Sequence, residues 1–452
     1  MGTWSTRTLA AAGFSLFLAV PTTRGALPCS LAAIPQRGSA ARELGPPSIS
    51  ADGRFLAFAS RARLVPAALG THSKIYALDL LMPSLTTESP PPDGSVLGGD
   101  SRAPSISGDG RFLVFEWVGT PRAESAPDEH VQIMLRDRRL GTTRMLSVNG
   151  SGLPGDYTSS NAVLSADGRV AAFESGATNL VAGTDVNGHA RDVYVVVLAT
   201  GEMSRASVDV GGRQREGSSF SPAISADGRY AAFTSDARLD DAPAPTHERT
   251  RGPHTRTRQV FVRDLARGIT RRVSRRPDGR EPNAASFFPS ISGDGRWVAF
   301  VSNATDIVAG DTKDVSNIYL HDLQTSTTTL VSRGVDGAAS DGASTRPVLS
   351  GSGRFVVFES EASNLVCGKP CRPPGLDINL LTDVFVFDRG ERSVVRLSSD
   401  PHSGWMEPSG SAAVDASGRV VVFSSRHPIA NDDTGNDFDL YVATRCGDGK
   451  TL

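Results

Sequence analysis

The chain has few of the residues on which many enzymes depend. It contains only 8 His, 4 Cys, 4 Trp and 6 Tyr among 452 residues. Neither a Gly-x-Ser-x-Gly elbow nor a His-Glu-x-x-His pair occurs in it. The sequence therefore lacks the motifs of an attached α/β-hydrolase and of a zinc peptidase.

An excess of charge of one sign is also missing. The 47 Lys and Arg residues nearly balance the 49 Asp and Glu residues, which gives a net charge of −2. This balance argues against nucleic-acid binding through bulk charge, so we expect no nucleic-acid partner. No long apolar run follows the N-terminal region, so we expect no transmembrane segment.

The one apolar run, residues 9–20, follows Arg7 and has the length of the h-region of a secretory signal peptide. We therefore predict a signal peptide at residues 1–26 and an exported protein, either secreted or periplasmic. An uncleaved anchor is the alternative, but the run is shorter than the roughly 20 apolar residues that a membrane span requires.

A short segment of the type Ser-Ala-Asp-Gly-Arg occurs seven times, at intervals of 57 to 67 residues. A period of this size is typical of a repeat architecture. The Gly-Arg pairs are Gly53-Arg54, Gly110-Arg111, Gly168-Arg169, Gly228-Arg229, Gly295-Arg296, Gly353-Arg354 and Gly418-Arg419.

Each repeat has the pattern of four short strands. An aliphatic residue precedes the turn, a Phe follows the Arg by four positions, and a second apolar run and a more polar segment come later. The turn glycine can adopt a positive φ and reverse the chain. We predict an all-β fold, a seven-bladed β-propeller of four-stranded blades covering residues 27–452.

The last repeat is too short for four strands, because only eight residues follow its third strand at residues 440–444. Residues 29–38 lie where the other repeats have a fourth strand and its following loop. We therefore predict that the N-terminal strand completes the last blade and closes the ring.

Four cysteines in an exported chain predict two disulfides. Closure of the ring would bring Cys29 near Cys446, and Cys367 would pair with Cys371 within one loop. Four free thiols are the alternative. A lipid anchor at Cys29 is a further alternative, although Pro28 is bulkier than the small residue that usually precedes a lipidated cysteine.

The repeats resemble the TolB-type β-propeller repeat, a WD-repeat-like pattern, through segments such as Ser50-Ala51-Asp52-Gly53-Arg54, Phe58 and Ile75-Tyr76 with Asp79. The resemblance covers residues 29–446 and implies either a binding scaffold or a propeller of the kind attached to peptidases. Ala or Gly replaces the usual turn proline, and Ser352 and Ser417 replace the turn Asp. TolB has six blades and a separate N-terminal domain, so its role in outer-membrane maintenance is not implied for this seven-repeat chain.

Oxygen-bearing side chains precede the predicted third strand of several repeats, and spaced oxygen ligands on a turn can hold Ca²⁺. The alternative is a set of Asx-turns that bond their own backbone, which Lys313 in one further copy favours. No other cofactor is expected. The candidate ligands are Asp185, Asn187, Asp192, Asp377, Asn379, Asp383, Asp433 and Asp439.

An insertion at residues 236–258 of the fourth repeat is rich in Pro and Arg. It predicts a protruding loop, either a docking arm for an anionic partner or a solvated segment. The candidate docking residues are Arg249, Arg251, Arg256 and Arg258.

The repeated turn arginine could form an anion-binding ring, but its presence in every repeat favours a structural pair with a neighbouring carboxylate. Two functions remain open. The first is an exported, non-enzymatic and monomeric scaffold that binds a protein or glycan at one face of its central channel. The second is a carbohydrate-active propeller enzyme, a glycosidase or lyase that uses channel-facing carboxylates.

Overall fold

The computed structural model describes residues 10–11, 14–15, 31–34, 46–66, 68, 72–89, 99–119, 130–240, 257–309, 315–335, 337, 339–366, 381–398, 409–425 and 439–445. All regular secondary structure in these residues is β-strand, so none of the described segments is a helix able to cross a membrane.

The strands group into seven four-stranded antiparallel sheets, each of which is one blade. Blade 1 consists of β4 (Ser48–Ile49), β5 (Phe55–Ser60), β6 (Lys74–Asp79) and β7 (Ser84–Thr87). Blade 2 consists of β8 (Asp100–Ile106), β9 (Phe112–Val118), β10 (Val131–Asp137) and β11 (Thr142–Met145). Blade 3 consists of β12 (Ser159–Leu164), β13 (Val170–Ser175), β14 (Asp192–Val197) and β15 (Met203–Arg205). Blade 4 consists of β16 (Ser219–Ile224), β17 (Tyr230–Ser235), β18 (Gln259–Asp264) and β19 (Ile269–Arg272).

The remaining blades follow the same order. Blade 5 consists of β20 (Ser286–Ile291), β21 (Trp297–Ser302), β22 (Asn317–Asp322) and β23 (Thr327–Leu330). Blade 6 consists of β24 (Ser344–Leu349), β25 (Phe355–Ser360), β26 (Asp383–Asp388) and β27 (Ser393–Arg396). Blade 7 consists of β28 (Ser409–Val414), β29 (Val420–Ser425), β30 (Asp439–Thr444) and, from the start of the chain, β3 (Leu31–Ile34). Two further strands, β1 (Ala10–Ala11) and β2 (Phe14–Ser15), pair only with each other.

The predicted closure of the ring is confirmed. Strand β3 pairs antiparallel with β30, with Leu31 opposite Ala443 and Ile34 opposite Leu440. The last blade therefore takes its fourth strand from the other end of the chain, and the seven-bladed all-β propeller has the architecture that the repeats predict.

A second closure lies at the turns between the first and second strands. In every blade a backbone N–H of the turn donates to a carbonyl of the next blade, and the last bond returns to the first blade. We call this set the turn girdle. Its bonds, 2.8–3.1 Å long, are Ala51 to Gly108, Gly108 to Ala166, Asp167 to Ala226, Ala226 to Gly293, Gly293 to Gly351, Ser352 to Ala416 and Ala416 to Ala51.

The turn girdle explains why the turns lack proline. Proline has no N–H to donate. In five of the seven turns the donor is the residue that follows the first serine of the turn, a place that Asp415 takes in blade 7. The close spacing also demands a small side chain, because a Cβ on Gly108 would lie 3.0 Å from the Cβ of Ala51. The Ala or Gly found at this position therefore follows from contacts between blades.

The turn glycines adopt the positive φ that the sequence predicts. Their φ angles lie between 65° and 77° in all seven turns, a region that other residues rarely adopt. A second constraint comes from the preceding blade, whose second strand places its first side chain against the glycine. A Cβ on Gly53, for example, would lie 2.9 Å from Val420 Cγ2, and one on Gly228 would lie 2.7 Å from Val170 Cγ2.

The core is formed by the recurring phenylalanines. Each is at most 2% exposed, and six of the seven stack on a ring of the third strand at centroid distances of 5.7–6.2 Å, as Phe58 does on Tyr76. Burial of one such side chain stabilises the fold by about 2–3 kcal/mol. The blades are thus held face to face by one aromatic layer per repeat.

The repeated turn arginine forms the structural pair that we expected, in five blades. Its guanidinium binds the Asp that ends the third strand, as Arg296 binds Asp322 at 2.7 Å. In blades 3 and 7 the third strand ends in Val197 and Thr444 at the place of this Asp, so Arg169 and Arg419 lack the pair. The five pairs are Arg54–Asp79, Arg111–Asp137, Arg229–Asp264, Arg296–Asp322 and Arg354–Asp388.

Candidate functional site

The innermost strands of blades 2 to 7 share a bulge at the same position. Each shifts register against the second strand, and its third or fourth residue has a positive φ although it is not glycine. A bulge re-aims a side chain, and backbone strain of this kind is common at functional sites. The bulge residues are Ala103, Asn161, Ser221, Phe288, Arg346 and Ser411, with φ between 49° and 53°.

Three glutamates support these bulges from the preceding blade. Glu116, Glu174 and Glu359 each follow the core phenylalanine of the second strand and are at most 4% exposed. Each accepts the N–H of the next bulge residue, at 2.8 Å from Asn161, 2.7 Å from Ser221 and 2.7 Å from Ser411. A buried carboxylate thus satisfies a backbone donor that the bulge takes out of the sheet.

Each of these glutamates also binds an arginine that reaches solvent. Arg102 lies 2.7 Å from Glu116, Arg191 lies 2.8 Å from Glu174, and Arg346 lies 3.5 Å from Glu359. The arginine side chains are 40%, 53% and 53% exposed, whereas those of the glutamates are 5%, 1% and 4% exposed. A ligand would therefore meet guanidinium groups rather than carboxylates.

Arg258, one of the four predicted docking residues, belongs to the same region. It precedes β18 as Arg191 precedes β14, and its backbone carbonyl accepts the N–H of Ser286 at the start of the next innermost strand. Its guanidinium carbon lies 4.7 Å from the ring centroid of Phe220 on β16. Arg249, Arg251 and Arg256 lie outside the described residues.

We call this end of the central channel the channel mouth. The eight residues that define it are Arg102, Asn161, Arg191, Phe220, Ser221, Arg258, Phe288 and Arg346. They lie on the innermost strands or directly before a third strand. The turn girdle lies at the opposite end. Exposed side chains on the innermost strands face the channel because the rest of each blade lies outside them.

Three of the predicted calcium ligands come together in blade 3. The amide nitrogen of Gln214 lies 2.9 Å from Asp185, 2.6 Å from Asn187 and 2.7 Å from Asp192. Arg205 also forms ion pairs with Asp185 at 2.9 Å and with Asp192 at 3.1 Å. Protein donors thus occupy the oxygens that calcium would need, and the calcium site stays a prediction.

Asp192 has a structural role that residues at the start of the third strand share in other blades. Its Oδ1 accepts a hydrogen bond from Ser207 at 2.7 Å. Asn317 in blade 5 and Gln132 in blade 2 accept the equivalent serine bond with amide oxygens, at 2.8 and 2.6 Å. Burial raises the pKa of Asp192 to about 6, although the Ser207 bond and Arg205 oppose this shift. A neutral acceptor therefore serves the same structural purpose.

The remaining predicted ligands are divided. Asp383 accepts a bond from Ser398 at 2.6 Å and lies 3.4 Å from Arg396, as Asp192 does with Ser207 and Arg205. Asp439 is buried at the start of β30. Asp377, Asn379 and Asp433 lie outside the described residues, as do Cys29, Cys367, Cys371 and Cys446. Within the described residues, no cluster of His, Cys, Asp and Glu side chains has the geometry of a metal site.

Sequence reasoning missed most of the channel mouth. One signal could have found part of it, since Glu116, Glu174 and Glu359 each directly follow a core phenylalanine in a strand that is otherwise apolar. An acidic residue at that place needs a buried partner. Asn161, Phe288 and Arg346 carry no such signal, because the bulge that exposes them does not appear in the residue pattern.

No family model matches the chain, and no curated protein matches its sequence. Several solved structures do resemble it. The structure of oligogalacturonate lyase in complex with manganese shares 14% identity over 89% of this chain and 88% of that chain, with a TM-score of 0.52. The likeness at this identity shows the propeller fold alone.

TolB proteins are also among the similar structures. A putative TolB from Agrobacterium tumefaciens shares 20% identity over 63% of this chain and 79% of that chain, with a TM-score of 0.37. TolB from Acinetobacter baumannii shares 14% identity over 87% of this chain and 81% of that chain, with a TM-score of 0.39.

Proposed function

We propose that this protein is an exported binding scaffold that takes an anionic ligand, a polycarboxylate segment of a glycan or a protein, at the channel mouth. The observation that carries the proposal is the unequal exposure of the three Arg–Glu pairs, in which the arginines reach solvent and the glutamates do not. Arginine has five N–H donors, and one carboxylate leaves most of them free for a second anion.

The buried glutamates add a further property that a binding site needs. Each holds its arginine while it is itself fixed by a backbone N–H of the next blade. The guanidinium groups are thus partly ordered before the ligand arrives, which lowers the entropy cost of binding. Arg258 adds a fourth guanidinium, held over Phe220 rather than by a glutamate.

The proposal is tested by titrating the protein with trigalacturonate and with a triglutamate peptide, both of which are polycarboxylates. We expect saturable binding of at least one probe, weakened about tenfold in Arg191→Gln and in Arg346→Gln, because a charge-assisted hydrogen bond contributes about 1.5–3 kcal/mol. Arg169→Gln is the matched control, since Arg169 is 81% exposed at the opposite end of the channel. The proposal fails if neither probe binds or if all three variants bind alike.

Export is tested separately. Expression of the full chain in a bacterium, followed by fractionation and mass measurement, should place a product shortened by about 26 residues outside the cytoplasm. A full-length cytoplasmic product would contradict export and leave the binding proposal intact.

A lyase or glycosidase is the second candidate, and its candidate carboxylates are Glu116, Glu174 and Glu359, which bind the arginines of blades 2, 3 and 6 at the channel mouth. The structure of oligogalacturonate lyase suggests polygalacturonate as a substrate to test. Release of new reducing or unsaturated ends, abolished in Glu174→Gln, would establish catalysis. Binding without product over a long incubation would favour the scaffold.

A further inference from the structure

The channel mouth is divided into two chemically different sectors. In blades 2, 3 and 6, the place after the core phenylalanine holds Glu116, Glu174 and Glu359, each with its arginine. In blades 4 and 5 the same place holds Thr234 and Val301, which bring no charge. We call the region between blades 4 and 5 the aromatic sector and define it by Phe220, Arg258, Phe287 and Phe288.

The aromatic sector exposes an apolar ring to the channel. Phe288 is 44% exposed at the bulge of β20 and meets Phe287 edge to face at a centroid distance of 5.2 Å. Its φ of 52° is unusual for so bulky a residue. Ala103 and Ser221 occupy the same position in other blades and show that a small residue fits there. Blade 5 nevertheless has a strained backbone and an exposed ring at this position.

Arg258 adds a cation to the aromatic sector, and its backbone carbonyl accepts the N–H of Ser286, two residues before Phe288. Its guanidinium carbon lies 4.7 Å from the ring centroid of Phe220, which pairs in register with Thr234 on the neighbouring strand. Thr234 is fully buried, and its hydroxyl has no hydrogen-bond partner among the described residues. Stacking leaves the N–H groups at the edge of the guanidinium free for an acceptor. The sector thus offers an apolar surface and a carboxylate-binding group on two neighbouring blades that the bond from Ser286 to Arg258 joins.

From this juxtaposition we propose that the aromatic sector binds a carboxylate that carries an aromatic or aliphatic group beside it, such as the free C-terminus of a peptide that ends in a hydrophobic residue. The proposal rests on the proposed function and narrows it. The three arginines of blades 2, 3 and 6 would bind further acidic groups of the same ligand, while Arg258 and Phe288 would hold its amphipathic end.

Three small probes separate the contributions. N-acetylphenylalanine has both the ring and the carboxylate, N-acetylphenylalaninamide lacks the charge, and N-acetylglycine lacks the ring. Binding is followed by NMR line broadening of the probe. We expect N-acetylphenylalanine to bind about tenfold more tightly than either relative, because ring burial and a charge-assisted hydrogen bond each contribute at least that factor.

Variants then assign the two groups. Phe288→Ala should lower N-acetylphenylalanine binding to the level of N-acetylglycine, and Ala103 shows that alanine is accepted at this position of the bulge. Arg258→Gln should lower it to the level of the amide. Leu140→Ala and Arg169→Gln are the controls, since Leu140 is 66% exposed in a turn at the opposite end and should not affect any probe.

The outcomes distinguish this proposal from the one on which it rests. If a polycarboxylate binds through Arg191 and Arg346 while N-acetylphenylalanine and N-acetylglycine bind alike, the aromatic sector has no ligand role and the proposed function stands. If N-acetylphenylalanine binds but Phe288→Ala has no effect, the proposal is also overturned. If no probe and no polycarboxylate binds, both proposals fail.

Discussion

The backbone N–H of Ala416 donates to the carbonyl oxygen of Ala51 at 3.1 Å, which joins the last blade directly to the first. This bond completes the turn girdle at the end of the channel opposite the mouth. The ring is therefore closed twice, once by the pairing of β3 with β30 and once by the girdle. Two independent closures make the channel a rigid frame for the arginines at its other end.

Ala416→Pro tests the girdle bond. Proline removes the N–H donor and leaves the carbonyl of Ala51 without its partner, so we expect a loss of about 1–3 kcal/mol in the free energy of unfolding, measured with urea. Ala166→Pro is the matched control, because in blade 3 the N–H of Asp167 makes the girdle bond instead. Equal losses in the two variants would show that the bond contributes nothing.

Gly110→Ala should destabilise the protein more than Gly141→Ala. Both glycines have a positive φ, 71° and 69°, so backbone strain costs about 1 kcal/mol in each. A Cβ at residue 110 would also collide with the ring of Phe55, whereas nothing lies within 4 Å of one at residue 141. We expect an additional loss of about 1–3 kcal/mol at residue 110. Equal melting temperatures for the two variants would contradict the packing of the preceding blade on the turn.

His321 should make the protein less stable in mild acid. Burial lowers its pKa from 6.5 to about 4, with a further contribution from Arg275. Because the pKa of the folded state is lower than that of the unfolded state, protonation favours unfolding, and stability falls as the pH decreases from 6.5 towards 4. The full effect is about 3 kcal/mol.

The matched variant is His321→Gln, which keeps a polar group near the hydroxyl of Thr328, 2.8 Å from Nδ1 of His321. The difference in unfolding free energy between wild type and variant should change with pH over this window. A constant difference would mean that His321 does not titrate abnormally. The raised pKa of Asp192 changes the stability with pH in the opposite direction. This contribution is the same in wild type and variant, so it cancels in the difference.

Calcium is tested by melting the protein with Ca²⁺ and with a chelator. We expect the same melting temperature in both, since Gln214 and Arg205 already bind the oxygens of Asp185 and Asp192. A higher melting temperature with Ca²⁺ that is lost in Asp185→Asn would instead establish the calcium site that the sequence suggests.

The sequence predicts the ring well and the channel mouth poorly, for a physical reason. Turn glycines, core phenylalanines and the Arg–Asp pairs must recur in nearly every blade, so their period reveals them. The turn of blade 7 keeps the same hydrogen bond with the two residues exchanged, because Ser417 donates to Asp415 at 2.6 Å where the turns of blades 1 to 5 have Ser before Asp. A ligand needs no such symmetry.

The channel mouth differs from blade to blade for that reason. One repeat position is a cation in Arg346, an aromatic ring in Phe288 and an amide in Asn161. A search for recurring residues therefore does not detect it. The glutamate after the core phenylalanine recurs in only three blades. Positions where the repeats disagree, rather than agree, mark the candidate site in this chain.

The most direct test of the account is a crystal structure of the protein with a bound polycarboxylate, either trigalacturonate or triglutamate. The account predicts a ligand carboxylate within hydrogen-bonding distance of Arg191, Arg258 or Arg346 at the channel mouth. A ligand bound at the turn girdle or on the outer strands, with these arginines untouched, would contradict it.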